Sequence, residues 1–469
     1  MDFAATRKFI EDMWQDDILP KLGEYITVPA RSPAFDPEWQ RNGYLERAVS
    51  LLADWATDRL SGIAGAGVEI IRLAGRTSSI FINSPGDDRD GVLLYGHYDK
   101  QPEMEGWAPG KSAWTAVMEG ERLYGRGGAD DGYAIFSAVA AILAVAGAGE
   151  SLPPIQILIE GAEESGSDDL PATFDHLGSR LSKPGLLIAL DGSCGDYERF
   201  WSLTSLRGQV AGTLTVRTMR EGVHSGEASG VVPSPFRIAR LLLSRIEDAD
   251  SGKVLPAALQ ASIPDERRLE AASAGEIIGP LHQAMPLANR TQPVTGNAAE
   301  QLLNRAWRPQ LAITGFDGLP KVSDAAAVAW PQVALKVSIR IPPSVDPFRA
   351  GAELKRLFEA DPPYSCDVSF TLDGMWAGWS APPLKPALRE LIDHASRQAF
   401  GPPAASFGGG GGIPFLSMLG ERFPDVQFVV TGVLGPESNA HGPNEFLHVP
   451  AAMKLTCALA VILHEWKAN

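Results

Sequence analysis

Apolar and polar residues change their spacing twice along the chain, near Ser205 and near Ala381. In the first stretch, Phe3 to about Ile26 and Asn42 to Leu60 repeat apolar residues at helical spacing on either side of the Pro-rich turn PARSPAFDPEW. Short apolar runs predict strands at Val68–Leu73, Ile80–Asn83 and Val92–Tyr95, and the Ala-rich segment Tyr133–Val145 predicts a helix. IQILIEGAEESGS and LLIALDGS read as two further strands, the first ending in Glu163 and Glu164 and the second in Asp191. Strands that alternate with helices and are apolar throughout belong in an α/β fold, in a mixed, mainly parallel sheet covered on both faces.

Beyond Ser205 the strands become amphipathic. Gln209–Arg217 reads as a strand, Pro235–Glu247 as a helix, and a less regular stretch runs to about Arg308. Strands at Leu311–Gly315 and Val333–Pro342, a helix at Pro347–Glu359 and a strand at Cys366–Leu372 follow. That order is β-α-β-β-α-β, the ferredoxin-like unit. From Ala381 the first pattern returns, with a helix at Leu384–Phe400, the buried strand VQFVVTGV and a closing helix at Val449–Lys467. The expected organisation is one α/β domain in two segments, residues 1–205 and 379–469, interrupted by a smaller unit at 206–378.

A chain of 469 residues is too long for one core, which agrees with that division. The net charge of -16 argues against nucleic acid as a partner, because a phosphate-binding surface needs a basic excess. The opening MDFAATRKFIEDMWQDD mixes charge with apolar residues as an amphipathic helix does, and no apolar run of membrane-spanning length stands out. Cys194, Cys366 and Cys457 are far apart and form no C-x-x-C pair, so the expected setting is a reducing cytoplasm with no membrane partner.

The chemistry is concentrated where strands end. His97 and Asp99 follow the apolar run LLYG, Asp130 and Asp131 open the Ala-rich helix, Glu164 and Asp191 close two strands, and His441 lies in GPESNAHGPNE after the last strand. Open α/β sheets build their sites at such edges. Imidazole and carboxylate suit zinc or a similar divalent ion, and five ligands suit two ions that share a bridging carboxylate, Asp130 being the natural bridge. Consecutive carboxylates diverge, so Glu164 can bind metal while Glu163 faces the water. A water held between two dications has a lowered pKa, and a carboxylate within reach can take its proton and deliver it to a leaving amine. The Gly408–Gly412 run lacks the Lys of a P-loop, and neither G-x-S-x-G nor H-E-x-x-H occurs. His176, His282, His394 and His448 have no partner pattern, and Trp376 and Trp379 read as core.

HYD, GRGGADD, EGAEESGS, LDGS, VHSG and NAHGPNE occur in this order, with SPAFDPEW ahead of them. Together they resemble the signatures of the M20 family of dinuclear zinc metallopeptidases, nearest its carnosinase-like dipeptidase branch. The resemblance implies two divalent ions per subunit, Zn2+ first and Mn2+ or Co2+ as alternatives. It implies that His97, Asp130 and Asp191 hold one ion and Asp130, Glu164 and His441 the other. Asp99 is then the carboxylate that orients the His97 ring, and Glu163 the general base. In this family a His of an H-S-G motif, here His224, reaches into the partner subunit's site to stabilise the oxyanion, which implies a homodimer with the inserted unit as lid and dimerisation domain. Arg340 matches a position that helps hold the substrate carboxylate, and Gly411 and Gly412 lie in a loop that contacts substrate.

The implied reaction is hydrolysis of a peptide bond in a small carboxylate-bearing substrate, a dipeptide first, by a metal-bridging water. An N-acyl amino acid amidohydrolase or carboxypeptidase would use the same groups, and a non-catalytic binding or assembly module would keep only the fold. Two departures bear on specificity. Relatives read D-x-K-G after the bridging Asp, where this chain has Asp131-Gly132-Tyr133, and their glycine loop carries side chains where Gly408 to Gly412 are all glycine. Bare amides still suit a carboxylate, and Gly permits its close approach.

Overall fold

The computed structural model describes residues 1–412 and 414–467. The N-terminal apolar stretch forms a continuous helical run, α1 (Phe3–Met13) passing through a π turn at Trp14–Ile18 into α2 (Leu19–Ile26). Gly43, with φ of 69°, separates a short turn at Trp39–Asn42 from α3 (Tyr44–Leu60). The strands β1 (Gly67–Ile71), β2 (Ser79–Ser84) and β3 (Val92–His97) follow, then α4 (Tyr133–Gly147), β4 (Ile155–Glu160), β5 (Leu186–Ala189) and β6 (Trp201–Leu206). One residue, Arg207, separates β6 from β7 (Gly208–Arg217).

The middle of the chain forms α5 (Pro235–Leu243), α6 (Asp265–Ile278), α7 (Ala298–Ala306), β8 (Gln310–Asp317), β9 (Gln332–Ile341), α8 (Pro347–Glu359) and β10 (Asp367–Trp376). The last part forms β11 (Trp379–Ser380), α9 (Pro386–Ala399), β12 (Ala405–Gly409), α10 (Pro414–Arg422), β13 (Gln427–Val430) and α11 (Val449–Glu465).

The large sheet has the order β1-β2-β4-β3-β5-β13-β6-β11, with β12 paired to β6. Its centre, β4-β3-β5-β13, is parallel, and antiparallel pairs β1–β2, β2–β4, β13–β6 and β11–β6 flank it. Both faces are covered, as the continuously apolar strands require. Leu94, Ile157 and Ile188 pack into a core with α1 to α4, α9 and α11, whereas Leu93, Tyr95, Leu158 and Leu187 pack into a second core with α6, α7 and α10. Gly128–Gly147 is in fact as long and apolar as a membrane span, contrary to the expectation that no such run exists, but its most apolar window is 89% buried inside the protein and serves as the central core helix.

The smaller sheet has the order β8-β9-β7-β10, all antiparallel. In chain order this is the β-α-β-β-α-β unit, with α5 and α8 over one face and a third core of its own. The irregular stretch between α5 and β8 does not stay with it. Ala271 and Ala274 of α6, and Leu302, Leu303 and Ala306 of α7 with Trp307 after it, pack beside Trp201, Leu203 and Phe407 of the large sheet. Arg267 donates to the carbonyl of Ala381 at 3.1 Å, and Glu270 accepts from Thr204 and Ser406 at 2.5 and 3.3 Å. Trp379 is core, in edge contact with Phe428, whereas Trp376 is 43% exposed.

Candidate metal centre

Register assembles the site. β3 lies parallel to β4 with His97 opposite Glu160, and parallel to β5 with Tyr95 opposite Ala189. His97 therefore stands level with Asp191, two residues past Ala189, and close to the Glu163–Glu164 turn that follows β4. Asp130 comes from the turn Gly128–Gly132 that enters α4, and His441 from the loop ahead of the short strand Phe446–His448. His441 has φ of 65°, a left-handed conformation that a residue other than Gly adopts at a local cost of about 1–3 kcal/mol.

Two groups of ligand atoms result. His97, Asp130 and Asp191 form one and Asp130, Glu164 and His441 the other, each with its atoms within 4.8 Å of one another. His97 Nε2 lies 3.2 Å from Asp130 Oδ1 and 3.9 Å from Asp191 Oδ2. His441 Nε2 lies 3.0 Å from Asp130 Oδ2 and 3.4 Å from Glu164 Oε2. Asp130 thus presents one oxygen to each group.

The electrostatics suit cations. Burial, then repulsion from neighbouring carboxylates, pushes Glu163, Glu164 and Asp191 well above the usual carboxylate range. Burial works against charge on His441 too, but Asp130 and Glu164 outweigh it and raise its pKa to about 9. Among the described residues, no Lys or Arg forms an ion pair with Asp130, Glu163, Glu164 or Asp191. Negative charge this crowded takes up protons unless divalent ions neutralise it, and the imidazole and carboxylate donors fit such ions.

Asp99 does more than orient a ring. His97 Nδ1 faces its backbone carbonyl at 3.1 Å and its carboxylate at 3.4 Å. The same carboxylate accepts the backbone N–H groups of Glu163 and Glu164, each at 3.1 Å. One buried group therefore fixes both a ligand ring and the adjacent pair of glutamates. The SPAF segment docks on this turn, Ser32 Oγ lying 2.5 Å from Ser165 Oγ and the Ala34 N–H donating to Ser165 at 2.9 Å.

A second support was missed in the sequence. Arg126 and Glu445 form a buried ion pair. Glu445 also accepts the Gly127 N–H at 2.8 Å, while Arg126 donates to the carbonyls of Gly442 at 2.9 Å and Pro102 at 3.1 Å. The pair thus clamps the Asp130 turn to the His441 loop. Both residues lie inside quoted motifs, GRGGADD and NAHGPNE, and an unmatched Arg in one with an unmatched Glu in the other was the available signal.

The first departure from the family pattern and part of the second have steric reasons. A Cβ at Gly132 would lie 2.2 Å from the Tyr25 ring and 2.5 Å from the Gly127 carbonyl, so Tyr25 fills the space a side chain there needs. Gly132→Ala is expected to destabilise the fold by about 1–3 kcal/mol through overpacking, read as a lower denaturant midpoint with unchanged m-value. At Gly408, Gly409 and Gly410 a Cβ would meet Ala306 at 2.5 Å, Leu206 at 2.7 Å and Arg305 at 2.8 Å. At Gly411 a Cβ would meet nothing within 4 Å among the described residues.

Of the expected site residues outside the two groups, Asp99 and Glu163 lie beside them and four others do not touch them. His224 sits exposed on a two-residue ribbon paired with Val328–Ala329, its Nδ1 accepting the Gly226 N–H at 3.1 Å. Arg340 is near the end of β9, opposite Gln209 and Gln310, and Gly411 and Gly412 are exposed between β12 and α10.

A helix-covered mixed sheet with two carboxylate-bridged ligand groups at the ends of its parallel strands defines a metal-dependent hydrolase. The chain belongs to peptidase family M20/M25/M40, whose pattern matches residues 93–465. It is 25% identical over 421 residues to a cysteinylglycine-S-conjugate dipeptidase of Corynebacterium striatum, across 85% of this chain and 88% of that one. It is 26% identical over 369 residues to the beta-Ala-His dipeptidase of Mus musculus, across 74% and 72% of the two chains. Human carnosine dipeptidase 1 shares the fold, with a TM-score of 0.79 at 21% identity over 99% of this chain and 98% of that one.

Proposed function

We propose that the protein is a dipeptidase that uses two divalent ions, Zn2+ first, with Glu163 as general base. The observation that carries the reading is the pair of ligand groups sharing Asp130, with Glu163 beside the ligand Glu164. His97, Asp130 and Asp191 would hold one ion, and Asp130, Glu164 and His441 the other. Bound there, the ions supply Lewis acidity toward the scissile carbonyl and lower the pKa of the attacking water.

The protein's own groups do the rest. Glu163 is half-buried, and beside Glu164 it is the carboxylate left free to accept a proton from water and return it to the leaving amine. Asp99 keeps the Glu163 backbone and the His97 ring in register throughout. Arg340 holds the substrate carboxylate, with the Gly411 and Gly412 amides beside it. His224, exposed and without contact to either ligand group, is placed by this reading in the partner subunit's site, where it meets the oxyanion; the active form is then a homodimer in which the smaller unit closes over substrate. Three unpaired cysteines agree with a reducing cytoplasm.

The test is hydrolysis of a panel of dipeptides and N-acyl amino acids by metal-replete protein. Dipeptides are expected to be cleaved at least about tenfold faster, judged by kcat/KM. Cleavage of N-acyl amino acids alone would move the reading to an amidohydrolase, and no turnover with both ions bound would sink it.

A further inference from the structure

Three arginines meet where the chain leaves the large sheet. Arg207 is the single residue between β6 and β7, Arg340 lies on β9 opposite Gln209, two residues past Arg207, and Arg305 is in the last turn of α7. Arg207 donates to the carbonyls of Gly410, Asn304 and Arg308, each at 3.3 Å. Those three bonds tie the glycine loop to the end of α7. The Arg305 side chain lines the same loop, 2.8 Å from where a Cβ at Gly410 would sit.

Among the described residues, none of the three forms an ion pair, although the chain carries a net charge of -16 and most of its other buried or half-buried arginines are paired. Among the described residues Arg305 Nε has no hydrogen-bond partner, and its guanidinium lies over the Phe407 ring, 5.3 Å from the centroid. Burial, then repulsion from Arg340 and Arg305, pushes Arg207 down to about 10. Buried cationic groups with unused donors are costly unless something anionic meets them.

Beyond the loop they line, the chain packs against the strand that carries His97. Phe415, three residues past Gly412, stacks on Tyr95 with ring centroids 3.5 Å apart, and Tyr95 is two residues before His97 on β3. Under the proposed reading, in which Arg340 takes the substrate carboxylate, an anion held at the neighbouring arginines falls on the leaving-group side of the reacting bond.

We infer that Arg305, with the charge of Arg207 behind it, forms a pocket for a second negative charge on the leaving-group half of the substrate, so that dipeptides ending in an acidic residue are the preferred class. The inference rests on the hydrolase reading for its orientation. One carboxylate would leave two of the three guanidinium charges unbalanced. Two carboxylates leave one, and Arg305 Nε then gains the acceptor it lacks.

The test compares isosteric pairs, Ala-Glu against Ala-Gln and Ala-Asp against Ala-Asn, in metal-replete protein. The expected kcat/KM ratio of acidic to neutral is about tenfold or more, as for one charge-assisted hydrogen bond. In Arg305→Met it falls to between about one and two, and in Arg305→Lys, which restores charge, it stays above about threefold. Calorimetric titration of L-glutamate and L-glutamine into the same metal-loaded proteins gives a second arm that needs no turnover. If no dipeptide is cleaved the hydrolase reading fails, and this arm decides alone: tighter binding of glutamate by about tenfold, lost in Arg305→Met, supports the pocket. Equal handling of acidic and neutral members by the wild type, or a preference that survives Arg305→Met, overturns it.

Discussion

Glu163→Gln is expected to lower kcat by about 10²–10⁴-fold, the range a positioned general base contributes, while the protein still binds two ions. The amide is nearly isosteric with the carboxylate, and the contact that fixes this residue runs through its backbone N–H to Asp99, which the substitution leaves in place. KM should change little, because the group acts on the proton in the transition state rather than on the bound substrate. Metal content by elemental analysis and kcat on the best dipeptide are the two readouts. Full turnover with both ions bound would remove Glu163 from the mechanism, and loss of an ion would mean that it is a ligand.

Asp130→Asn is expected to abolish binding of both ions, a larger effect than loss of any other ligand. Asp130 presents Oδ1 to His97 and Oδ2 to His441, so its removal leaves two ligands in each group. Asp191→Asn and His441→Ala should each weaken one ion and spare the other. Bound ions stabilise the fold by mass action, about 2.7 kcal/mol at a hundredfold excess over Kd. The rise in melting temperature on adding Zn2+ to chelator-treated protein should therefore be full in the wild type, partial in Asp191→Asn or His441→Ala, and absent in Asp130→Asn. Two ions retained by Asp130→Asn would show that the groups do not share a carboxylate.

Much of the fold could be read from periodicity because the decisive strands are buried on both faces. Val92–Tyr95, IQILIE and LLIA admit few polar residues, chiefly Gln156, whose side chain bonds Asn83 and the carbonyl of Arg180, and Glu160, which accepts from Tyr95 and Ser167, so their ends and the acids that follow stand out. Register could not be read, and register is what sets His97 level with Asp191. β6 and β12 were missed for a different reason. WSLTSL alternates with serine and threonine, and ASFGG ends in glycines, so neither has the strong pattern of its neighbours, yet they pair with each other along their length. α6 begins DERRLE and buries little more than its small residues, which gives no clear stripe. The Arg126–Glu445 clamp joins residues 319 apart, a distance at which no local signal operates.

The packing of α6 and α7 against the large sheet sets how the smaller unit can move. The chain steps between cores at 206–210, 261–263, 307–311 and 375–379, so four spans tie the unit down. A body hung on two neighbouring strands has one soft axis and swings about it. With four anchors spread across its base, any rotation tightens one span while slackening another. Gly208 and Gly378, where a Cβ at one would sit within 2.8 Å of the other's amide nitrogen, form a close crossing of the first and last spans and so a natural fulcrum. The unit is braced rather than hinged, and any closure that the proposed reaction requires is governed by the slack in the spans on either side of α6 and α7.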